Sequence, residues 1–183
     1  MNLLQPTLIL LAAFLAVFWE AAFPGTSRWF KTQIDLLPAL MVYTSLRAKP
    51  GMIAALALLG GLFFDSLSAN PLGVTILPLF AVGFAIYFRR DLLLRDQPYA
   101  QFVLGLAASA ATPALTLLLL LTMGHAPLIG WGSLWQWLVM TLAGGLAAPL
   151  VFFLFDLCEH AFGYSRMSEN SFRPDREIRR GRN

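Results

Sequence analysis

Charge is scarce in this chain: only 13% of its 183 residues are charged, while 58% are hydrophobic. Soluble chains carry about 25% charged and about 45–50% apolar residues. So much apolar surface has nowhere to hide in a water-soluble core of this size, and it comes in the long blocks that mark membrane spans. Cysteine is nearly absent as well, and the single Cys158 excludes an internal disulfide. The two histidines, His125 and His160, fall on opposite sides of the span arrangement derived below, so they share neither a metal nor a triad. There is no His-x-x-x-His or Cys-x-x-Cys spacing, which argues against a transition-metal site. A Gly-x-Ser-x-Gly elbow and a phosphate-cradling glycine loop are also lacking. No serine has an evident base beside it. The expectation is a protein without catalytic machinery, cofactor or nucleic-acid partner.

What the chain does contain is apolar runs. A helix crosses about 30 Å of hydrocarbon with roughly 20 apolar residues, in a range of about 17–25. Residues 3–23 form the first run. It lacks a basic flank, and Trp19 and Glu20 stand where a cleavage site needs small residues, so it reads as an uncleaved span. Residues 33–46 and 51–64 are shorter runs, separated by Arg47-Ala48-Lys49-Pro50-Gly51, a basic turn with strong breakers. Tilt or local thinning must compensate for their length. Residues 72–88, 100–123 and 134–157 complete a set of six. The expectation is an all-α polytopic protein with a six-helix domain over 1–162 and a basic tail over 163–183.

Lysine and arginine orient the spans, because cytoplasmic loops hold the excess. With the N-terminus inside, Arg47, Lys49, Arg89, Arg90, Arg95 and the tail arginines 166, 173, 176, 179, 180 and 182 are all internal. Only Arg28 and Lys31 are external. Both termini are therefore expected in the cytoplasm. Trp19, Trp29, Trp131, Trp135 and Trp137 then fall near the outer interface, and Tyr43, Tyr87, Tyr99 and Tyr164 toward the inner one, as interfacial aromatics do on either side.

In lipid, helices associate through close approach at small residues rather than through apolar burial. Ala57 with Gly61, Gly105 with Ser109, and Gly144 with Ala148 each place two small residues on one helical face. They serve either packing within the chain or docking of a partner's transmembrane helix. Pro78, Pro113 and Pro149 are expected to kink their helices and to free carbonyls that neighbours must satisfy.

Carboxylates are costly inside a membrane, at least about 2.5–3.5 kcal/mol each. Glu20, Asp35, Asp65 and Asp156 lie in or at the ends of spans. Asp65 follows Gly60-Gly61-Leu62-Phe63-Phe64 and precedes Ser66-Leu67-Ser68-Ala69-Asn70-Pro71-Leu72-Gly73, a polar reversal. It either caps a backbone end and orders that turn, or contacts a partner or relays charge. An aspartyl-protease dyad would need two carboxylates sharing a proton, and nothing in the sequence marks Asp35 and Asp65 as one. The tail from Ser165 sets six arginines against Glu169, Asp175 and Glu177. It reads as a solvated, partly disordered segment, or as one that docks on anionic lipid or protein.

The stretch from Asp35 to about Leu120 resembles the rod shape-determining MreD family. The resemblance lies in Ile34-Asp35-Leu36-Leu37-Pro38, in the Lys49-Pro50-Gly51 turn, and above all in Gly60 to Gly73, which is similar to that family's glycine–apolar–Asp–turn–Pro-Leu-Gly signature. The basic segment Arg89 to Asp96 and the chain length also fit. The Trp131–Trp137 loop and the arginine tail match no pattern of the family. The resemblance implies a non-enzymatic scaffold of the cell-wall elongation complex in the bacterial inner membrane. It implies an MreC-like bitopic partner, together with the MreB filament, the glycosyltransferase–transpeptidase wall synthases and membrane lipids. It also implies a fold similar to energy-coupling-factor transporter substrate-binding subunits, and a signature turn built from Gly61, Asp65, Asn70, Pro71 and Gly73. A substrate-capture subunit of such a transporter is the alternative. It should present an outward pocket with converging polar groups.

Overall fold

Proline punctuates the chain where helices begin. Pro50 and Pro98 open two helices, and Pro38 lies in the first turn of a third, positions where the missing N–H would have had no partner in the helix. The computed structural model describes residues 4–22, 35–68, 71–90, 97–124 and 130–163. The described residues form six α-helices: α1 (Leu4–Ala22), α2 (Leu37–Arg47), α3 (Pro50–Leu67), α4 (Ile76–Arg89), α5 (Pro98–Thr122) and α6 (Trp131–Gly163). Met1–Phe152 form one compact unit and Phe153–Asn183 a second. In the second unit, the described residues are the last turns of α6. Trp29, Asn70, His125, the segment 91–96 and the tail from Tyr164 lie outside the described residues.

Helix α2 is the centre of the first unit. It packs against α1, α3, α4 and α5, and every residue from Leu37 to Leu46 is buried. Its polar side chains answer to its own backbone: the Thr44 hydroxyl donates to the Leu40 carbonyl at 2.8 Å and the Ser45 hydroxyl to the Met41 carbonyl at 2.7 Å. These two buried hydroxyls are thereby satisfied within the helix. Tyr43 is fully enclosed and meets the Phe152 ring edge-on at 5.0 Å. The helices that wrap α2 leave its aromatic no lipid to face.

Glycine lets the wrapping helices come close. On α3 the buried stripe is Ile53, Leu56, Ala57, Gly60, Gly61 and Asp65, the i, i+3, i+4 spacing of a single helical face. A Cβ on Gly60 would stand 3.1 Å from Leu37 Cδ2, and one on Gly83 of α4 would stand 2.6 Å from Met41 Sδ. The α5–α6 seam is tighter. A Cβ on Gly105 would lie 2.7 Å from the Gly144 carbonyl oxygen and 2.6 Å from Ala148 Cβ, and one on Gly144 would run into Ser109. The four small residues Gly105, Ser109, Gly144 and Ala148 thus meet one another across this seam. Pro113 removes a backbone donor from α5. One turn away, the Trp137 indole of α6 donates to the Ala110 carbonyl at 3.0 Å.

The described residues hold three helices long and apolar enough to cross a membrane, Pro50–Leu67, Pro98–Thr122 and Trp131–Cys158, with two shorter apolar ones, Pro6–Glu20 and Ile76–Arg89. Their length and composition indicate a multi-pass membrane protein. Large side chains such as Leu118, Leu146, Leu150 and Phe88 project outward, as lipid-facing residues do. Two expectations change. The run 33–46 yields only the 11 residues of α2, about 16 Å of helix, because Asp35 and Leu36 precede it as irregular chain. The run 72–88 starts its helix at Ile76, since 72–75 are turn residues. Pro78 therefore sits in the first turn of α4 and does not interrupt it.

Candidate functional site: a closed turn beside a cleft

Where α3 ends, the backbone must reverse within a few residues to start α4. Reversal leaves N–H groups pointing into apolar surroundings, where an unpaired donor is expensive. Asp65, in the last turn of α3 and 1% exposed, supplies the acceptor. Its Oδ2 accepts the Gly73 N–H at 2.8 Å and the Thr75 N–H at 3.1 Å, and its Oδ1 accepts the Thr75 hydroxyl in a short hydrogen bond. Gly73 takes φ +92°, a left-handed conformation that favours glycine. The Pro71 carbonyl accepts the Val74 N–H at 3.3 Å, which tightens the same turn. Gly61, one helical turn before Asp65, brings α4 close: a Cβ there would lie 3.1 Å from both the backbone nitrogen and the Cα of Ile76.

Gly61, Asp65, Pro71 and Gly73 are thus brought together in one corner. Asn70 lies outside the described residues. Thr75 donates twice to Asp65 but belongs to none of the motifs legible in the sequence. The available signal was a lone hydroxyl residue directly before the apolar run of α4.

Next to this corner lies a partly open cleft of about 380 Å³. Asp35, Ser68, Thr75, Thr112, Thr116 and Gln136 give it a polar lining, and Phe64, Pro113, Leu117, Leu120 and Met140 an apolar one. The polar side chains come from chain positions about 100 residues apart, gathered at one end of the helices. Asp35 is 6% exposed. Its Oδ1 accepts the Leu37 N–H at 2.8 Å, satisfying a donor at the start of α2. Its Oδ2 takes no hydrogen bond from any described residue. The Asp65 charge reaches Asp35, but no hydrogen bond joins the two carboxylates, so they do not share a proton as a protease dyad would.

The threonine hydroxyls around the cleft spend their hydrogens elsewhere. Thr112 donates to the Ala108 carbonyl at 2.9 Å, Thr116 to the Thr112 carbonyl at 2.9 Å, and Thr75 to Asp65. Among the described residues, no three His, Cys, Asp or Glu side chains come together as a metal would require. No protein-family model matches this chain, and no curated protein or solved structure does either.

Proposed function

We propose that this chain is a non-enzymatic membrane scaffold of the bacterial cell-wall elongation complex. In this reading it resides in the inner membrane with both termini in the cytoplasm and crosses the bilayer with six helices in a fold similar to energy-coupling-factor substrate-binding subunits. It holds an MreC-like single-span partner and so positions the peptidoglycan synthases, with MreB on the cytoplasmic side. The reading rests on the resemblance of Gly60–Gly73 to the MreD signature. The observation that carries it further is the state of Asp65. Its carboxylate accepts three hydrogen bonds from described residues, all of them from Gly73 and Thr75, which is how a residue behaves when it builds a rigid corner rather than attacks a substrate.

Purification from native membranes in mild detergent tests this reading. A single-span periplasmic MreC-like protein should come with the chain. Recovery of paired ATPases and a second polytopic subunit would favour the alternative, a substrate-capture subunit of an energy-coupling transporter. The cleft is the observation that favours that alternative, because its converging polar groups are what a capture subunit requires.

A further inference from the structure

We propose that the cleft beside Asp35 binds a small organic monocation, an ammonium or guanidinium group carried on an apolar body. The inference goes beyond the scaffold reading and does not depend on it.

Asp35 is nine-tenths buried and lines the cleft. One oxygen is held by the Leu37 N–H, and the other has no hydrogen-bond partner among the described residues. No described cation offsets it, and the nearby Asp65 charge makes its position more negative still. Burial and the Asp65 charge both work against ionisation of this carboxyl, and an incoming positive charge offsets that penalty and favours the carboxylate.

Thr75, Thr112 and Thr116 have each committed their only hydrogen to a carbonyl or carboxylate, so only acceptor lone pairs remain for an occupant. Ser68 likewise donates to the Asp65 carbonyl at 3.4 Å. Gln136 adds an amide that can turn its carbonyl oxygen toward an occupant. A ligand head that brings donors and no acceptors complements these groups, and ammonium and guanidinium have that property.

The lining suits an organic cation rather than a metal ion. Among the described residues, Asp35 is the single carboxylate lining the cleft, and no metal-ligand cluster forms. Leu117, Leu120, Met140 and Phe64 complete the walls, so most of the volume suits an alkyl or aromatic body.

The test uses the full chain in mild detergent, titrated with phenethylamine and, separately, with the neutral isostere 2-phenylethanol. Both thermal unfolding and equilibrium binding of radiolabelled amine are measured. The amine should bind saturably and raise the unfolding temperature, whereas the alcohol should do neither. Asp35→Asn keeps the Oδ1 acceptor for Leu37 and removes the charge, so it should fold and bind the amine at least about tenfold more weakly. Thr116→Val removes one acceptor of the wall at nearly constant shape and should weaken binding several-fold. It decides the matter if Asp35→Asn does not fold. Absence of saturable amine binding, an equal response to the alcohol, or unchanged affinity in both variants would overturn the proposal.

Discussion

Asp65 and Asp35 stand at the same end of the helices, both buried, both acidic, and within electrostatic reach of each other. Their surroundings differ. Asp65 has both oxygens engaged by three donors from the turn that follows it. Asp35 has one oxygen on the Leu37 N–H and the other without a partner among the described residues, beside a cleft of about 380 Å³. Cost of burial alone marks both as purposeful, but the hydrogen-bond inventory separates the purposes. A saturated carboxylate holds its own chain together, whereas an unsaturated one leaves part of its interaction energy to something that arrives.

The largest effect is expected on breaking the closed side. Asp65→Ala would leave the Gly73 N–H, the Thr75 N–H and the Thr75 hydroxyl without their acceptor. Each buried orphan costs about 1–3 kcal/mol, so a loss of at least about 3 kcal/mol should appear as collapse of folded yield in detergent size exclusion. Asp65→Asn retains one acceptor oxygen and should fall between. Wild-type yield from Asp65→Ala would mean that the corner is not held by this carboxylate. Thr75→Val comes next. It deletes one donor, keeps the shape, and leaves Asp65 with its two backbone bonds. A thermal-unfolding loss equivalent to about 1–2 kcal/mol is expected, as for removal of a hydrogen bond to a charged group.

Much of this arrangement can be read before any coordinates. Apolar blocks and their breakers locate α1, α3, α5 and α6, because helices in lipid must be long and uncharged. The run Gly60 to Gly73 announces a helix end and a reversal, since Asp, Asn, Pro and Gly each favour turns for a local reason. The role of α2 is not legible. A run such as 33–46 looks the same whether lipid or protein surrounds it, and only the packing of α1, α3, α4 and α5 around it decides. The cleft is hidden for a similar reason. Asp35, Thr75, Thr112 and Gln136 form no motif, and the fold brings them together from four separate stretches of chain. Asp35 stands out in sequence as a membrane carboxylate, but its unpaired oxygen is a property of the packed structure.

A third buried polar group sharpens the comparison with a smaller effect. Ser109 is 2% exposed, and its hydroxyl has no hydrogen-bond partner among the described residues. It lies against Gly144 at the α5–α6 seam, where a Cβ on that glycine would overlap it. Like Asp35 it is unsaturated, but it faces a packed glycine rather than a cleft. Ser109→Ala removes the orphan group and little else. The expectation is a neutral to stabilising change of up to about 1 kcal/mol in thermal unfolding, because removing an unsatisfied polar atom relieves its desolvation cost. A loss above about 1 kcal/mol would indicate that the hydroxyl has a structural partner.

The smallest stability effect is expected at Asp35 itself, and it bears most directly on the comparison. Asparagine at this position keeps a carbonyl oxygen where Oδ1 stands, so the Leu37 N–H retains its acceptor and the start of α2 keeps its geometry. The change removes a buried charge that has no described counterion. Two terms of opposite sign result: the acceptor becomes weaker once the charge is gone, while the burial penalty and the repulsion from Asp65 both disappear. Their sum should lie within about 0.5–1 kcal/mol of zero, read as a nearly unchanged unfolding temperature without ligand. A loss approaching that of Asp65→Ala would place both carboxylates in the same structural class and remove the contrast on which the cleft's proposed role rests. A near-zero change, beside a large one at Asp65, would mean that the chain tolerates a buried charge its own fold does not use.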